Sequence, residues 1–509
     1  MTRAVRRVLL LLLGLGLFAS PVRATWSVIV VHKKTREVCS AVATCIEGVG
    51  LENLVPVIAV GKGAGASQGF VMSNAQNRKL IFKGFKKGYP PERILEWIEA
   101  TDSSIQSRGF GIVSFAGPPV AFIGDKLGDG KGTTFGETED LIYAIQGSGL
   151  AGASVVQAAE QALLYSEGDL STRVMLAMEA ARFMGGDGRC SCHPTKPDSC
   201  GTPPPDFEKS AHQAVLFLAR PGDINGTCSG AEGCANGEYY LGLVSGGSWD
   251  DVDPVVELRQ QFVHWRASLV GVPDHYRSEA SIDRQRIVAD GASRAHVTIR
   301  LRDLDGTPLT QGGAVVSLKR KNPLPPKATV GPVIDNGDGT YSVELTATTD
   351  PGIGEWRVDV DLGGPRIIQL SPTLLLTSDP LTELHAGIRQ FSLSDPTPVP
   401  FTLNRPASDA GRSYRILGSF SGTEPGVLLG GVQLALNPDR FFRSTWLPPG
   451  PDGFEGSHGD LDVVGRAEAY LQPSPLWSPA LVGQRLDFQA WLPGATPAAT
   501  NGVWFEIAP

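Results

Sequence analysis

The chain has 509 residues, with 45 Lys and Arg against 53 Asp and Glu, and its formal net charge at pH 7 is −8. An acidic chain offers little electrostatic attraction to phosphates, so we expect no nucleic-acid partner. The length suits about three domains of typical size. Beyond the leader no apolar run is long enough to span a bilayer, so we expect a soluble or surface-associated protein.

The N-terminus has the pattern of a secretion signal. The basic segment MTRAVRR precedes the apolar stretch VLLLLLGLGLFA, which is too short to span a bilayer comfortably. Val22 and Ala24 fit the −3 and −1 positions of a cleavage site. We therefore expect a signal peptide over residues 1–24, with the mature chain secreted or at the cell surface; the alternative is an uncleaved anchor.

Residues 25–277 mix strands and helices and predict one α+β domain. TWSVIVV and VCSAVAT, joined by a polar turn, predict an N-terminal β-hairpin. Helical spacing of apolar residues predicts helices in PPERILEWIEAT, SVVQAAEQALLYSEG and LSTRVMLAMEAARFMGG. Further strands are predicted for FGIVSF, PVAFIG, QAVLFLA and EYYLGLV. Helices grouped between strand pairs, without strict alternation, favour a layered architecture.

The rest of the chain predicts two β-sandwich domains, at residues 285–375 and 378–509. In the first, segments such as AHVTIRLRD and TYSVELTAT alternate apolar and polar residues between turns, which is the rhythm of an immunoglobulin-like sandwich. The stretch DNGDGTYSVELTAT resembles the small immunoglobulin-like modules of bacterial invasins and filamins. The second domain resembles carboxy-terminal modules of secreted bacterial proteins. We expect both to serve as spacers, attachments or binding modules.

Seven cysteines are present, and five of them lie between Cys190 and Cys234. In an exported chain this group predicts two disulfides, which pin the loops HPTKPDSCGTPPP and TCSGAEGC, in preference to a zinc site. The pairing is left open. Cys39 and Cys45 lie on one predicted strand and cannot reach each other, so both are expected to be core thiols. We expect no metal and no cofactor.

Several motif-like segments do not meet the requirements of the sites they resemble. GKGAGAS fails the dinucleotide-binding pattern, and GDKLGDGKGT has Gly132 where a phosphate-binding loop needs Ser or Thr. GASQG matches a nucleophile elbow and leaves Ser67 as an alternative nucleophile, with His193, His212, His264 or His275 available for a triad. Against it, FVMSNAQNRKLIF is a poor match to the helix that should follow.

The new terminus is itself a candidate site. Cleavage after Ala24 would give Thr25 a free α-amine beside its own hydroxyl. An α-amine titrates near pH 7.7 to 8.0, which suits a general base. The hydroxyl oxygen would attack a carbonyl to form an acyl-enzyme. A turn at Gly147, Ser148 and Gly149 could supply backbone donors for the oxyanion.

Seven segments occur in the order typical of a bacterial family called domain of unknown function 1028: TWSVIVV, VCSAVATCIEGVG, VPVIAVGKGAGASQ, GFGIVS, AIQGSGLAG, MGGDGR and HQAVLFLA. The chain resembles this family from Thr25 to about Arg220, with a tail to the DPVVELRQQFVHWRA segment. The family resembles the N-terminal nucleophile (Ntn) hydrolases, which implies a four-layer α-β-β-α sandwich and a nucleophile at Thr25.

The same resemblance implies further site residues. Thr44 falls at a small hydroxyl position on the second strand, and Gln68 ends an A-T-Q-like element. Gln146 begins a Q-G-N-I-L-like element in which Ser148 replaces the usual Asn, and Asp187 matches a G-G-D-R-R-G-like element. Here Gly188 replaces an Arg, and the stretch from Cys190 to about Glu208 looks inserted.

Together these features predict a secreted Ntn-type hydrolase that cleaves an amide bond in a small molecule or peptide. The rival hypothesis is a non-catalytic extracellular binding or adhesion protein that keeps the fold and contacts a cell surface or matrix through its β modules.

Overall fold

The computed structural model describes residues 25–71, 74–247, 250–322, 325–379, 383–392, 397–448, 450–472 and 479–508. The expected signal peptide lies outside these residues. The chain divides into two compact units, one up to Val270 with residues 363–368, the other comprising 271–362 and 369–509. Within the described ranges no helix is both long and apolar enough to cross a membrane.

Among its described residues, the first unit contains ten complete strands. They are β1 Thr25–His32, β2 Val38–Thr44, β3 Pro56–Ala59, β4 Gly63–Gly69, β5 Arg108–Ser114, β6 Gly117–Ile123, β7 Gly132–Glu137, β8 Leu141–Ser148, β9 Gln213–Ala219 and β10 Leu241–Gly246. Its helices are α1 Leu51–Leu54, α2 Gln76–Lys87, α3 Pro91–Glu99, α4 Ser154–Tyr165, α5 Leu170–Phe183, α6 Gly188–Ser191 and α7 Pro254–Ala267, with a 3₁₀ turn at Ile105–Ser107.

These strands form two antiparallel sheets. The first has the order β10-β9-β2-β1-β8-β7, and the second has the order β3-β4-β5-β6. The predicted hairpin is confirmed, because β1 and β2 pair with Trp26 opposite Ala43. On the other side of β1, Thr25 lies opposite Ser148 of β8. Thr25, the expected first residue of the mature chain, therefore lies in the middle of the first sheet, at one end of its strands.

The two sheets stack between two layers of helices. Alternate residues of β1 explain the stacking, since Trp26, Val28 and Val30 pack with helices α4, α5 and α7. Ile29 and Val31 face the opposite way and pack against the second sheet. The outer face of the second sheet packs against α2 and α3. The expected α+β, α-β-β-α sandwich is confirmed.

The glycine-rich segment GKGAGAS supplies most of β4, and close packing explains its composition. A Cβ at Gly63 would lie 2.6 Å from the Val113 carbonyl oxygen and 2.8 Å from the Phe85 ring. Small residues here let α2 lie directly on the second sheet. Ser67 lies within β4, paired with Phe110 and not on a strand-to-helix turn, so the nucleophile-elbow geometry is missing. The segment FVMSNAQNRKLIF nevertheless contains the first turns of α2, which begins at Gln76.

The cysteine expectations need one correction. Cys192–Cys200 and Cys228–Cys234 form disulfides that pin the two expected loops. A third disulfide joins Cys45 to Cys190, so the expectation that Cys45 is a core thiol is wrong. β2 ends at Thr44, and Cys45 therefore lies beyond the strand and can turn towards a distant segment. Cys39 is a buried free thiol, and burial raises its pKa.

The second unit consists almost entirely of strands. They are β11 Glu279–Ile282, β12 Arg286–Val288, β13 Arg294–Arg300, β14 Val315–Arg320, β15 Ala328–Val330, β16 Ile334–Asp335, β17 Thr340–Ala347, β18 Gly352–Asp361, β19 Ile367–Gln369, β20 Leu374–Asp379, β21 Leu384–Ala386, β22 Gln390–Ser392, β23 Val399–Asn404, β24 Ser413–Ser419, β25 Val427–Leu429, β26 Val432–Leu434, β27 Phe454–Glu455, β28 His458–Asp460, β29 Arg466–Leu471, β30 Arg485–Leu492 and β31 Ala498–Ala508. Helix α8 spans Arg440–Trp446, and short 3₁₀ turns lie at Ala407–Asp409 and Pro479–Leu481.

These strands build two successive sandwiches. The first sandwich consists of the sheet β11-β13-β17-β15 and the sheet β12-β20-β18-β14. The second pairs β21-β23-β29-β27 with β22-β31-β30-β24-β28 around a core that includes Phe401, Phe488 and Phe505. In each sandwich an early strand pairs in parallel with the last one, β12 with β20 and β22 with β31. The expected β-rich architecture is confirmed.

Candidate functional site

Thr25 lies at one end of the first sheet, with its side chain between the two sheets. Its Oγ1 donates a hydrogen bond to Thr44 Oγ1 at 3.2 Å, and both residues are buried. On the opposite side of β1, Ser148 occupies the facing position on β8. Side chains directly opposite each other on antiparallel strands share one face of a sheet. The hydroxyls of Thr44, Thr25 and Ser148 therefore form a row across three neighbouring strands.

Gln68 connects this row to the second sheet. Its Nε2 donates to the Thr25 carbonyl oxygen at 2.9 Å, and its Oε1 accepts a hydrogen bond from Ser27 Oγ at 3.0 Å. Gln68 and Ser27 are both fully buried. Gln68 is the last residue but one of β4, so these two bonds tie the end of the second sheet to the first residues of β1. Sequence reasoning missed Ser27, although it lies two residues after Thr25 and therefore on the same face.

Gln146 and Ser148 bring polar atoms into the same layer. Both side chains are fully buried, and neither the Gln146 amide atoms nor Ser148 Oγ has a hydrogen-bond partner among the described residues. Gly111 of the second sheet leaves space for the Gln146 side chain, because a Cβ at position 111 would lie only 3.4 Å from Gln146 Nε2. Buried polar groups usually have partners. These atoms are therefore available to a polar group that enters between the sheets.

Asp187 holds the segment that follows Thr44 by a hydrogen bond to its backbone. Its Oδ2 accepts a hydrogen bond from the Cys45 N–H at 2.8 Å, which fixes the residue after Thr44. Arg189 donates to the same carboxylate through Nε at 3.0 Å and Nη2 at 2.7 Å. The Cys45–Cys190 disulfide joins the same two segments. Asp187 is thus occupied by structural contacts, and its role is to hold the segment that carries Thr44.

The expected oxyanion turn at positions 147–149 differs from the structure. Gly147 and Ser148 belong to β8, and the Gly149 N–H donates to the Asp129 carbonyl oxygen at 3.0 Å. The Gly149 amide is therefore already engaged.

A metal centre does not fit the residues of this region. Among the described residues, Cys45, Cys190 and His212 form a group whose ligand atoms lie close together, but the two cysteine sulfurs are bonded to each other. Disulfide sulfur lacks the thiolate that zinc requires. Burial lowers the pKa of His212, whose Nε2 lies 3.7 Å from Glu47 Oε1.

Comparisons with known proteins agree with the two resemblances expected from the sequence. Residues 25–193 match the family of unknown function DUF1028, and residues 274–378 match invasin domain 3. A DUF1028 protein from Silicibacter pomeroyi is 17% identical over 47% of this chain and 88% of its own, with a TM-score of 0.35.

Two solved adhesins are also similar. The Yersinia pseudotuberculosis adhesin InvE is 16% identical, with 45% of this chain and 58% of its own covered and a TM-score of 0.18. The bacterial integrin-binding protein invasin is 11% identical, with 79% of this chain and 56% of its own covered and a TM-score of 0.18. The chain thus spans little more than half the length of either adhesin. It combines a DUF1028 segment with an invasin-like immunoglobulin segment.

Proposed function

We propose that the chain is an exported hydrolase that cleaves amide bonds with Thr25 as its nucleophile. The observation that carries the proposal is the buried polar layer around Thr25, formed between the two sheets by Ser27, Thr44, Gln68, Gln146 and Ser148. Burying a polar group without a hydrogen-bond partner costs free energy, and Gln146 and Ser148 have no such partner among the described residues. The proposal includes cleavage after residue 24 and domains at 25–277, 285–375 and 378–509.

The chemistry needs only the new terminus and its surroundings. The α-amine of Thr25 takes the proton of the Thr25 hydroxyl, and Oγ1 attacks the carbonyl carbon of the substrate. The protonated amine then gives its proton to the leaving nitrogen as the carbon–nitrogen bond breaks. Water hydrolyses the resulting ester by the same route and releases the acid. Because the amine supplies both transfers, the hydrolase needs no buried histidine or lysine beside Thr25.

The neighbouring residues take different parts in this proposal. Thr44 accepts the Thr25 hydroxyl hydrogen bond at 3.2 Å, and Gln68 holds the Thr25 carbonyl, so both are positioning residues. The amide of Gln146 and the hydroxyl of Ser148 are buried donors with no partner in the part of the chain that the structure describes. In such a setting a hydrogen bond to a developing oxyanion has its greatest effect.

The test begins with amino-terminal sequencing of the secreted protein, followed by Thr25→Ser and Thr25→Ala variants assayed on a panel of peptide and acyl amides. Serine should retain part of the turnover and alanine none. Thr133→Ala, an exposed position on β7, should behave like the parent. A mature chain that begins elsewhere, or an alanine variant with parental activity, would exclude this mechanism.

Surface binding is a second candidate function, favoured by the match of residues 274–378 to invasin domain 3. In this hypothesis the β modules attach the protein to a cell surface or matrix. Binding of the full mature chain to immobilised matrix proteins and to cells should then be the same for the parent and Thr25→Ala. Binding that disappears together with turnover would instead assign the attachment to the catalytic domain.

A further inference from the structure

The disulfide between Cys45 and Cys190 lies beside a histidine. One ligand atom from each of Cys45, Cys190 and His212 lies within 4.8 Å of the other two. In the part of the chain that the structure describes, no other such group of His, Cys, Asp or Glu side chains is found. This disulfide therefore differs from the other two in having an imidazole within reach of both sulfurs.

The position of His212 is fixed by the end of β2. Its backbone N–H donates to the Thr44 carbonyl oxygen at 2.8 Å, and the residue is buried. Because burial lowers the pKa of His212, the ring is neutral at pH 7, and the neutral ring is the form that binds metal ions. Glu47, whose Oε1 lies 3.7 Å from His212 Nε2, is a carboxylate of the kind that supports ligating histidines. His212 is thus a nitrogen ligand held beside a pair of sulfurs.

The two sulfurs become ligands only when their bond is broken. In the oxidised chain they are bonded to each other, but both cysteines are half-exposed and a small dithiol can reach them. One thiolate of the dithiol attacks a sulfur and forms a mixed disulfide, and the second thiol of the reductant then closes a cyclic disulfide. The dithiol loses two electrons, and Cys45 and Cys190 are left as thiols.

Two thiols and a neutral imidazole are a ligand set that favours zinc over magnesium or calcium. Zinc binding releases the two thiol protons and leaves two thiolates on the metal. In a tetrahedral site with Zn–S bonds of about 2.3 Å, the sulfurs lie about 3.8 Å apart. That separation fits within the 4.8 Å that the three ligand atoms already span. Three protein ligands leave the fourth position to water.

We propose that reduction of the Cys45–Cys190 disulfide converts this group into a zinc site, with Cys45, Cys190 and His212 as its ligands. An exported chain carries thiols until it is oxidised, so the zinc-bound state comes before the disulfide. In that state zinc holds the residue after β2 next to α6 until the sulfur–sulfur bond forms. The site does not depend on Thr25 being a nucleophile.

The first experiment maps zinc ligation in the mature full-length protein. The protein is reduced with dithiothreitol, desalted without oxygen and alkylated with iodoacetamide, with and without one equivalent of zinc sulfate. Peptide mass spectrometry then follows each cysteine. Zinc should slow the alkylation of Cys45 and Cys190 by at least about tenfold, because the thiolate is the reactive form and the metal occupies it. Alkylation of Cys192 and Cys200 should not change. Protection of neither pair, or of Cys192 and Cys200 as much as of Cys45 and Cys190, would overturn the site.

Cobalt(II) provides a second measurement, because its thiolate complexes absorb visible and near-ultraviolet light and zinc complexes do not. Reduced protein titrated with cobalt chloride should gain this absorption with one cobalt per chain, and zinc should displace the cobalt. Oxidised protein should gain none. His212→Gln should weaken cobalt binding by at least about tenfold, since the loss of even an outer-shell partner of a metal site costs about 10-fold to 100-fold.

His193→Gln is the matched control, because His193 also follows a disulfide cysteine but is exposed and belongs to no such group. It should bind cobalt like the parent. Equal binding by His212→Gln and the parent, or a stoichiometry that Cys45→Ser leaves unchanged, would contradict the proposal. Circular dichroism shows whether each reduced variant keeps its fold; where one does not, the alkylation pattern of the parent decides alone.

Discussion

Gln68 offers the most direct test of how the site is held together. The side chain is fully buried, and its two hydrogen bonds join β4 in one sheet to Thr25 and Ser27 in the other. Gln68→Met keeps the length of the side chain and removes both bonds. The change therefore isolates the polar contacts from the packing.

The expected effect is large for a single residue. Each buried hydrogen bond contributes about 1 kcal/mol net, and a buried partner left unsatisfied costs about 1 to 3 kcal/mol. We expect Gln68→Met to lower the free energy of opening of β1 by about 2 to 4 kcal/mol. Since 1.4 kcal/mol is a factor of ten, this corresponds to a loss of protection of about 30-fold to nearly 1000-fold.

Hydrogen exchange followed by mass spectrometry measures this opening directly. Peptides from β1, Thr25–His32, report the effect, and peptides from β30, Arg485–Leu492, in the other unit serve as an internal reference. Gln157→Met, at an exposed position of α4, is the matched control and should change nothing. A loss of protection in β1 below about threefold would refute the argument that Gln68 clamps the two sheets.

Three further results are expected. Replacing Cys45 and Cys190 by Ser removes a link across 145 residues, and calorimetry should show a loss of up to about 5 kcal/mol in the unfolding free energy of the first unit. Burial lowers the pKa of His32 in the folded chain below its ordinary value of 6.5. The stability that neutral His32 allows should therefore be complete above pH 6.5 and be lost as the pH falls through the lowered pKa. Urea titrations at pH 7.5 and 5.5 measure this loss of unfolding free energy. Arg220→Met should cost about 3 to 5 kcal/mol, because it leaves the buried Glu37 carboxylate without the guanidinium 2.7 Å away.

Each of these results has its own control. Loss of the Cys192–Cys200 link, which spans 8 residues, should cost only about 2.5 kcal/mol, and an equal cost for both links would contradict the chain-entropy argument. An exposed His193→Gln variant should keep the full pH dependence, whereas His32→Gln should reduce it. Arg259→Met, at a half-exposed pair with Glu179, should change stability by less than about 1 kcal/mol.

Periodicity predicted the elements that pack with one face only, which are the helices α3, α4 and α5 and the alternating strands of the second unit. The hairpin of β1 and β2 is buried on both faces, and its β-rich runs and polar turn predicted it instead. Helix α2 was missed because its segment opens with polar residues, and its buried positions include Asn77 and Arg78 as well as Ile81 and Phe85.

Long-range contacts explain the other differences. The sequence predicts Cys45 on a strand, but the strand ends one residue earlier and the disulfide partner of Cys45 lies 145 residues away. The family resemblance predicted Gln68 and Gln146 as site residues without indicating what they contact. Only the stacking of the two sheets shows that Gln68 reaches Thr25 and that Gly111 leaves space for Gln146.

The parallel pairing in both sandwiches has a mechanical consequence. In each module, a strand near its beginning lies beside its last strand and runs in the same direction, β12 with β20 and β22 with β31. When a force pulls the two ends of such a module apart, it slides these strands past each other and loads their hydrogen bonds together. The bonds cannot be opened one at a time, as in the unzipping of a hairpin. Both modules are therefore built to resist tension along the chain.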